Sequence, residues 1–282
     1  MRSPLPRAAR YWPIILLLFP ALLCAEARFS FETTPGRLPK TVVPRHYELR
    51  LEPDLEARTF VGTARIDVEA REAVSEVKLQ ALELEFDRIT LGDGADAQPI
   101  TASYDQASQI LTLPVALPPG PHTLVFHYRG KLNRSSNGLF VDKYPTAGGP
   151  KFMLGTQMEV ADARRVFPSW DEPAFRATFD LTIVVPARLT AVSNLPEIRS
   201  VPLGDGRKAV TFARSPLMPT YLVAVCAAEF DTKETRLGDT LIRVLATEGK
   251  QPSMDYPLQA ARDILAYQTD YFGVPYPLPK LD

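Results

Sequence analysis

From about residue 43 to 246 apolar and polar side chains alternate, and this pattern constrains the fold more than any other feature of the chain. A period of two places successive side chains on opposite faces of a strand, so each alternating run specifies a strand with one buried face. Tyr47-Glu48-Leu49-Arg50-Leu51 shows it, as do Ala64 to Glu69, Leu124 to Tyr128 and Phe175 to Ile183. Turn clusters separate the runs: Gly92-Asp93-Gly94, Pro118-Pro119-Gly120 and Gly204-Asp205-Gly206. Many short strands of this kind predict an antiparallel sandwich or saddle of sheets. No internal repeat at a fixed spacing is visible.

The period changes near residue 250. Pro252-Ser253-Met254-Asp255 carries helix-start chemistry, and Leu258, Ala261, Ile264/Leu265, Gln268 and Tyr271/Phe272 recur at steps of three and four before Gly273 and Pro275. One helix cannot bury its own stripe, so this segment reads as the beginning of a second domain. With 45% hydrophobic residues the chain has the material for a core. Its 32 Lys and Arg against 33 Asp and Glu leave a formal charge of -1, too little to gather nucleic acid electrostatically.

The first 25 residues have the layout of a secretory signal peptide: Arg2, Arg7 and Arg10, an apolar run from Trp12 to Leu23, then the small residues Ala25 and Ala27. The run is short of the roughly 20 residues that a membrane span needs and contains Pro13 and Pro20. Export to the periplasm or the extracellular space is therefore expected, with no transmembrane anchor after cleavage. A lipoprotein reading through Cys24 is weaker, because Leu23 precedes it where a small residue belongs. Cleavage leaves Cys226 alone, so no internal disulfide is available and Cys226 reads as a small buried hydrophobe.

Chemistry-bearing residues are few. The three histidines, His46, His122 and His127, lack the spacing of a helical zinc pair. Serine nucleophile elbows and phosphate-cradling glycine loops are missing. Asn133-Arg134-Ser135 fits a glycosylation acceptor. The densest block of unusual residues runs from Gly155 to Pro173, where Glu159 and Asp162 precede Arg164-Arg165, and Asp171 and Glu172 follow. By composition it reads as an ion-paired surface loop.

That block also resembles the zinc aminopeptidases of the aminopeptidase N type, whose amino-terminal β-domain carries Thr-Gln-x-Glu, Asp-Ala-Arg, Phe-Pro and Asp-Glu-Pro in this order. Pro44-Tyr47-Leu49, Gly138-Leu139-Phe140, Val192 to Glu197, Ser215 to Leu222 and Tyr271 to Pro277 extend the resemblance over most of the mature chain. Ser169 stands where many members have Cys, a difference expected to be structurally harmless. The resemblance implies a mainly β fold over residues 26–246 followed, over 247–282, by the first helix of a truncated thermolysin-like α/β catalytic domain.

By the same resemblance Glu159 helps hold the free amino group of a peptide substrate, and Gln157 lines the pocket for its first side chain. The family's zinc and its catalytic residues lie in a His-Glu-x-x-His region with no counterpart in this sequence, so the resemblance implies no catalytic and no metal-binding residue here. The expected partners are peptides with a free amino terminus and a carboxy-terminal catalytic domain. By itself the chain is expected to bind no zinc and cleave nothing. A non-catalytic exported binding or scaffold module is the alternative.

Overall fold

The alternating stretches are strands. In the computed structural model, which describes residues 30–282, Tyr47, Leu49 and Leu51 are buried while Glu48 points outward, and Phe60, Ala64, Ile66, Val68 and Ala70 repeat the pattern. The signal-peptide segment 1–25 lies outside the described residues. Residues 30–34 belong to one unit and Pro35–Asp282 form a second.

Within the second unit the strands follow in chain order. The first eight are β1 Val42–Asp54, β2 Thr59–Ala70, β3 Val77–Gln80, β4 Glu85–Leu91, β5 Gln98–Pro99, β6 Ser103–Asp105, β7 Ile110–Leu113 and β8 Gly120–Lys131. Next come β9 Gly138–Tyr144, β10 Lys151–Gln157, β11 Thr178–Pro186, β12 Thr190–Ser193, β13 Glu197–Pro202 and β14 Arg207–Phe212. The last are β15 Val225–Ala228, β16 Phe230–Leu237, β17 Thr240–Thr247, helix α1 Asp255–Phe272 and β18 Lys280–Leu281.

An eight-stranded sheet, in the order β13-β14-β11-β1-β2-β8-β4-β5, holds the longest strands. Beside it stand a four-stranded sheet, β12-β15-β10-β9, and two three-stranded sheets, β16-β17-β18 and β3-β7-β6. Pairing is mostly antiparallel, as the short turns between alternating runs imply. Two pairs depart from that expectation: β1 with β11, from His46↔Thr178 to Leu51↔Ile183, and β17 with β18. A parallel pair needs a long connection, and β2 to β10 supply it between β1 and β11. Tyr47 of β1 stacks on Phe179 of β11 with ring centroids 4.8 Å apart, and Phe167 meets both edge-on.

Helix α1 begins after a 3-10 turn at Gln251–Ser253 and ends at Gly273, whose φ of 64° lies in the left-handed region that favours glycine. It packs on β16 and β17. Of the stripe read from the sequence, Leu265 is buried and Leu258 and Ala261 are half-buried, but Ile264, Gln268, Tyr271 and Phe272 face solvent. Tyr267, Tyr271 and Phe272 are 67%, 70% and 69% exposed. Helical periodicity identifies a side that can be buried; whether each turn has a neighbour depends on the sheet beneath it. No helix among the described residues is long and apolar enough to cross a membrane.

Candidate functional site

The Gly155–Pro173 block starts on β10, and β10 aims its face. It pairs antiparallel with β9 over seven positions, from Lys151↔Tyr144 to Gln157↔Gly138. Alternation puts Met153, Gly155 and Gln157 on one face of the sheet. A Cβ on Gly155 would lie 2.7 Å from the Phe140 ring, so only glycine lets that ring lie across the strand. On the opposite edge the Thr156 hydroxyl accepts the Val225 N–H at 2.9 Å and ties β10 to β15.

Beyond Gln157 the chain leaves the sheet. Met158 is buried and anchors the turn, and its carbonyl accepts the Asp162 N–H at 2.9 Å. Gln157 and Glu159 are both exposed, and Gln157 Oε1 accepts the Glu159 N–H at 3.3 Å. The two side chains named from the sequence are therefore neighbours on the surface at the end of β10. Among the described residues the Glu159 carboxylate has no ion-pair partner. Val160, next to it, is 78% exposed.

The remaining charges of the block are engaged, and the pairing differs from a surface loop. Arg165 binds Asp162 at 2.7 Å and Glu83 at 2.6 Å near the surface. Arg164 is only 9% exposed and enters the interior. Its Nε donates to Asp171 Oδ2 at 2.9 Å, its Nη2 to the Asp171 carbonyl at 3.0 Å, and its Nη1 to Gln109 Oε1 at 2.9 Å. The Thr220 hydroxyl donates to the other Asp171 oxygen. Gln80 accepts the Asp171 N–H and donates to Glu172, whose Oε1 also receives the N–H groups of Arg37 and Leu38. The Trp170 N–H donates to the Tyr47 hydroxyl. These residues lock the segment after Glu159 onto the large sheet; they are framework. The glycosylation-type Asn133 is also structural, since its Nδ2 donates to the Asn137 carbonyl at 2.8 Å.

A feature that sequence reading missed is a cavity of about 440 Å³ on the Met153 side of the four-stranded sheet. Cys226, Phe230, Leu245, Tyr276 and Lys280 share its wall with Met153. Lys280 is buried and donates to the Ser193 carbonyl at 2.6 Å and to Asp282, which Arg243 grips through both carboxylate oxygens at 2.7 and 2.6 Å. Burial pushes the Lys280 ammonium below the usual lysine range against the pull of Asp282. Burial likewise pushes the Cys226 thiol up. The sequence signal was slight: Met153 stands two and four residues before Gly155 and Gln157, on their face.

Among the described residues no three His, Cys, Asp or Glu side chains converge as a metal site. These residues therefore offer no donor set for the zinc that the resemblance implies for a complete enzyme.

The chain is 41% identical over 265 residues to Aminopeptidase N of Acetobacter pasteurianus, covering 93% of this chain and 74% of that protein. It is 39% identical to Aminopeptidase M1-C of Oryza sativa subsp. japonica and 36% identical to Endoplasmic reticulum aminopeptidase 1 of Homo sapiens. Those matches cover 88% and 87% of this chain but only 28% and 27% of the two relatives, so the chain spans little more than a quarter of their length. The family model described as the Peptidase M1 N-terminal domain matches residues 43–222, which takes in β1, the β10 edge and the buried Arg164 framework. The chain belongs to the M1 peptidases of the aminopeptidase N type, and residues 43–222 form their amino-terminal domain.

Proposed function

We propose that this chain recognises the free amino terminus of peptides for an exported zinc aminopeptidase, with Glu159 accepting the substrate ammonium and Gln157 lining the pocket for the first side chain. One observation carries the reading. Of the four acids between Gly155 and Pro173, Asp162, Asp171 and Glu172 have protein partners, while Glu159 is exposed beside Gln157 and has no ion-pair partner among the described residues.

An α-amino group has a pKa of about 7.7–8.0 and is largely cationic at neutral pH. A carboxylate at a rigid strand end selects that cation and sets its distance from the first peptide bond. A neutral amide next to it can both donate and accept at a pocket wall. Zinc and the groups that act on the peptide bond belong, in this reading, to the part of the longer relatives outside the matched span. The layout of Arg2, Arg7, Arg10 and the Trp12 to Leu23 run supports export, and amino-terminal sequencing of material outside the cytoplasm tests it.

The recognition step is tested by titrating the ¹⁵N-labelled chain with a short peptide bearing a free amino terminus, and with its acetylated twin. The free peptide is expected to shift the amides around Gln157 and Glu159, the acetylated one to leave them in place, and Glu159→Gln to abolish the difference. Equal shifts with both peptides would exclude the amine anchor. In an assembled enzyme a charge-assisted hydrogen bond of about 1.5–3 kcal/mol corresponds to an approximately 10- to 150-fold loss of kcat/KM in Glu159→Ala.

A further inference from the structure

The turn that carries Glu159 brings three carboxylates together. The Met158 carbonyl receives the Asp162 N–H at 2.9 Å, and the Asp162 carbonyl receives the Arg165 N–H at 3.1 Å. The first of these bonds brackets Glu159, so Glu159 and Asp162 share one turn at the end of β10. A third carboxylate arrives from the loop between β3 and β4. There the Leu82 N–H donates to the Arg164 carbonyl at 2.8 Å and sets Glu83 beside the same turn.

Arg165 takes two of the three. Its Nε donates to Asp162 Oδ1 at 2.7 Å, and its Nη1 lies 2.6 Å from Glu83 Oε2. One planar guanidinium spans both acids, a grip that a compact ammonium cannot reproduce. The stem of Arg165 is placed by the strand next to the recognition residues: Gly138 pairs with Gln157, and a Cβ on Gly138 would lie 3.2 Å from the Arg165 Cβ. The side chains of Asp162 and Glu83 are 25% and 59% exposed, so water and solutes reach both. Without Arg165, each would attract a cation as Glu159 does.

We propose that Arg165 is a positioning residue for amino-terminal recognition: by occupying Asp162 and Glu83 it leaves Glu159 as the one carboxylate of this group open to a peptide ammonium. The inference rests on the reading of Glu159 as the amine anchor. With one acceptor the ammonium has one position, and the first peptide bond follows at a fixed distance. With three, the peptide also binds in displaced positions, and an assembled enzyme loses kcat while KM holds.

The test is a cycle of variants of the ¹⁵N-labelled chain, titrated with trialanine and with N-acetyl-trialanine. In the parent, Glu159→Gln should weaken binding of the free peptide, relative to the acetylated one, by about tenfold or more, as loss of a charge-assisted hydrogen bond implies. In Arg165→Ala the same change should cost less than about threefold, because Asp162 and Glu83 now share the cation, and amide shifts should spread to both. Arg165→Gln, which keeps the stem against Gly138 without the charge, should behave alike. Adding Asp162→Asn and Glu83→Gln to Arg165→Ala should restore the dependence on Glu159 to about tenfold, a rescue that a purely structural role would not give. An undiminished effect of Glu159→Gln in both Arg165 variants overturns the proposal. So does a failure of the triple variant to restore it, which would show Arg165 to be only a brace for the turn. If Glu159→Gln leaves binding by the parent unchanged, the amine-anchor reading itself falls; if that effect holds and is equal in every background, only the role of Arg165 falls.

Discussion

Replacing Arg164 by Ala tests whether the Asp-Ala-Arg and Asp-Glu-Pro segments are framework. The Asp171 side chain is 1% exposed and accepts from the Arg164 guanidinium and backbone N–H and from Thr220. Truncation leaves that carboxylate buried without its counter-charge and strips Gln109 of its donor. Breaking one side of a buried pair costs about 3–5 kcal/mol. For a unit of this size each kcal/mol lowers Tm by about 2–4 °C, so a fall of roughly 6–20 °C is expected. Arg165→Ala is the matched control, because its bonds to Asp162 and Glu83 lie nearer water and are worth at most about 1 kcal/mol. Urea unfolding followed by tryptophan fluorescence suits the question: of the two tryptophans in the sequence Trp170 is fully buried beside Asp171, and Trp12 lies outside the described residues. Equal losses in the two variants, each under about 1 kcal/mol, would refute the buried-pair account.

Three further outcomes are expected. Ser169 is fully buried and its hydroxyl has no partner among the described residues, so Ser169→Ala should raise stability by about 1 kcal/mol in the same assay; a lower midpoint would contradict this. Hydrogen bonds from Arg214, with His46 adding to them, hold the Asp180 carboxyl below its usual range. A depressed carboxylate stabilises above its unfolded pKa, so urea midpoints should fall as pH drops below about 4, and Arg214→Ala should flatten that fall. Because burial raises the Cys226 thiol, a thiol reagent should label it slowly at pH 7 and rapidly after unfolding; fast native labelling would show the cavity wall to be open.

Strand existence was legible because alternation is local: Tyr47, Leu49 and Leu51 show their buried side without reference to the rest of the chain. The neighbour of β1 was not legible, since the parallel partner Thr178 comes 132 residues after His46. Gln157 and Glu159 could be named from their motif, yet the order of charges could not tell which arginine goes inside. Arg164 and Arg165 are adjacent in sequence, and the 3-10 turn at Ala163–Arg165 sends one toward Asp171 and the other toward solvent. The sequence gives no sign that the Ser169 hydroxyl is enclosed without a partner among the described residues, because that depends on the segments packed around it.

The pairing of β1 with β11 also sets a timetable. At a synthesis rate of about 5–20 residues per second, the 132 residues between His46 and Thr178 take about 7–26 s to follow. Until β11 arrives, β1 can pair with β2 but its other edge has no native neighbour. Loop closure over such a distance makes the central sheet a late event in folding. A ribosome stalled before Thr178 would hold a strand bearing Tyr47, Leu49 and Leu51 with one side open, so this interval is when the nascent chain most needs a chaperone's cover.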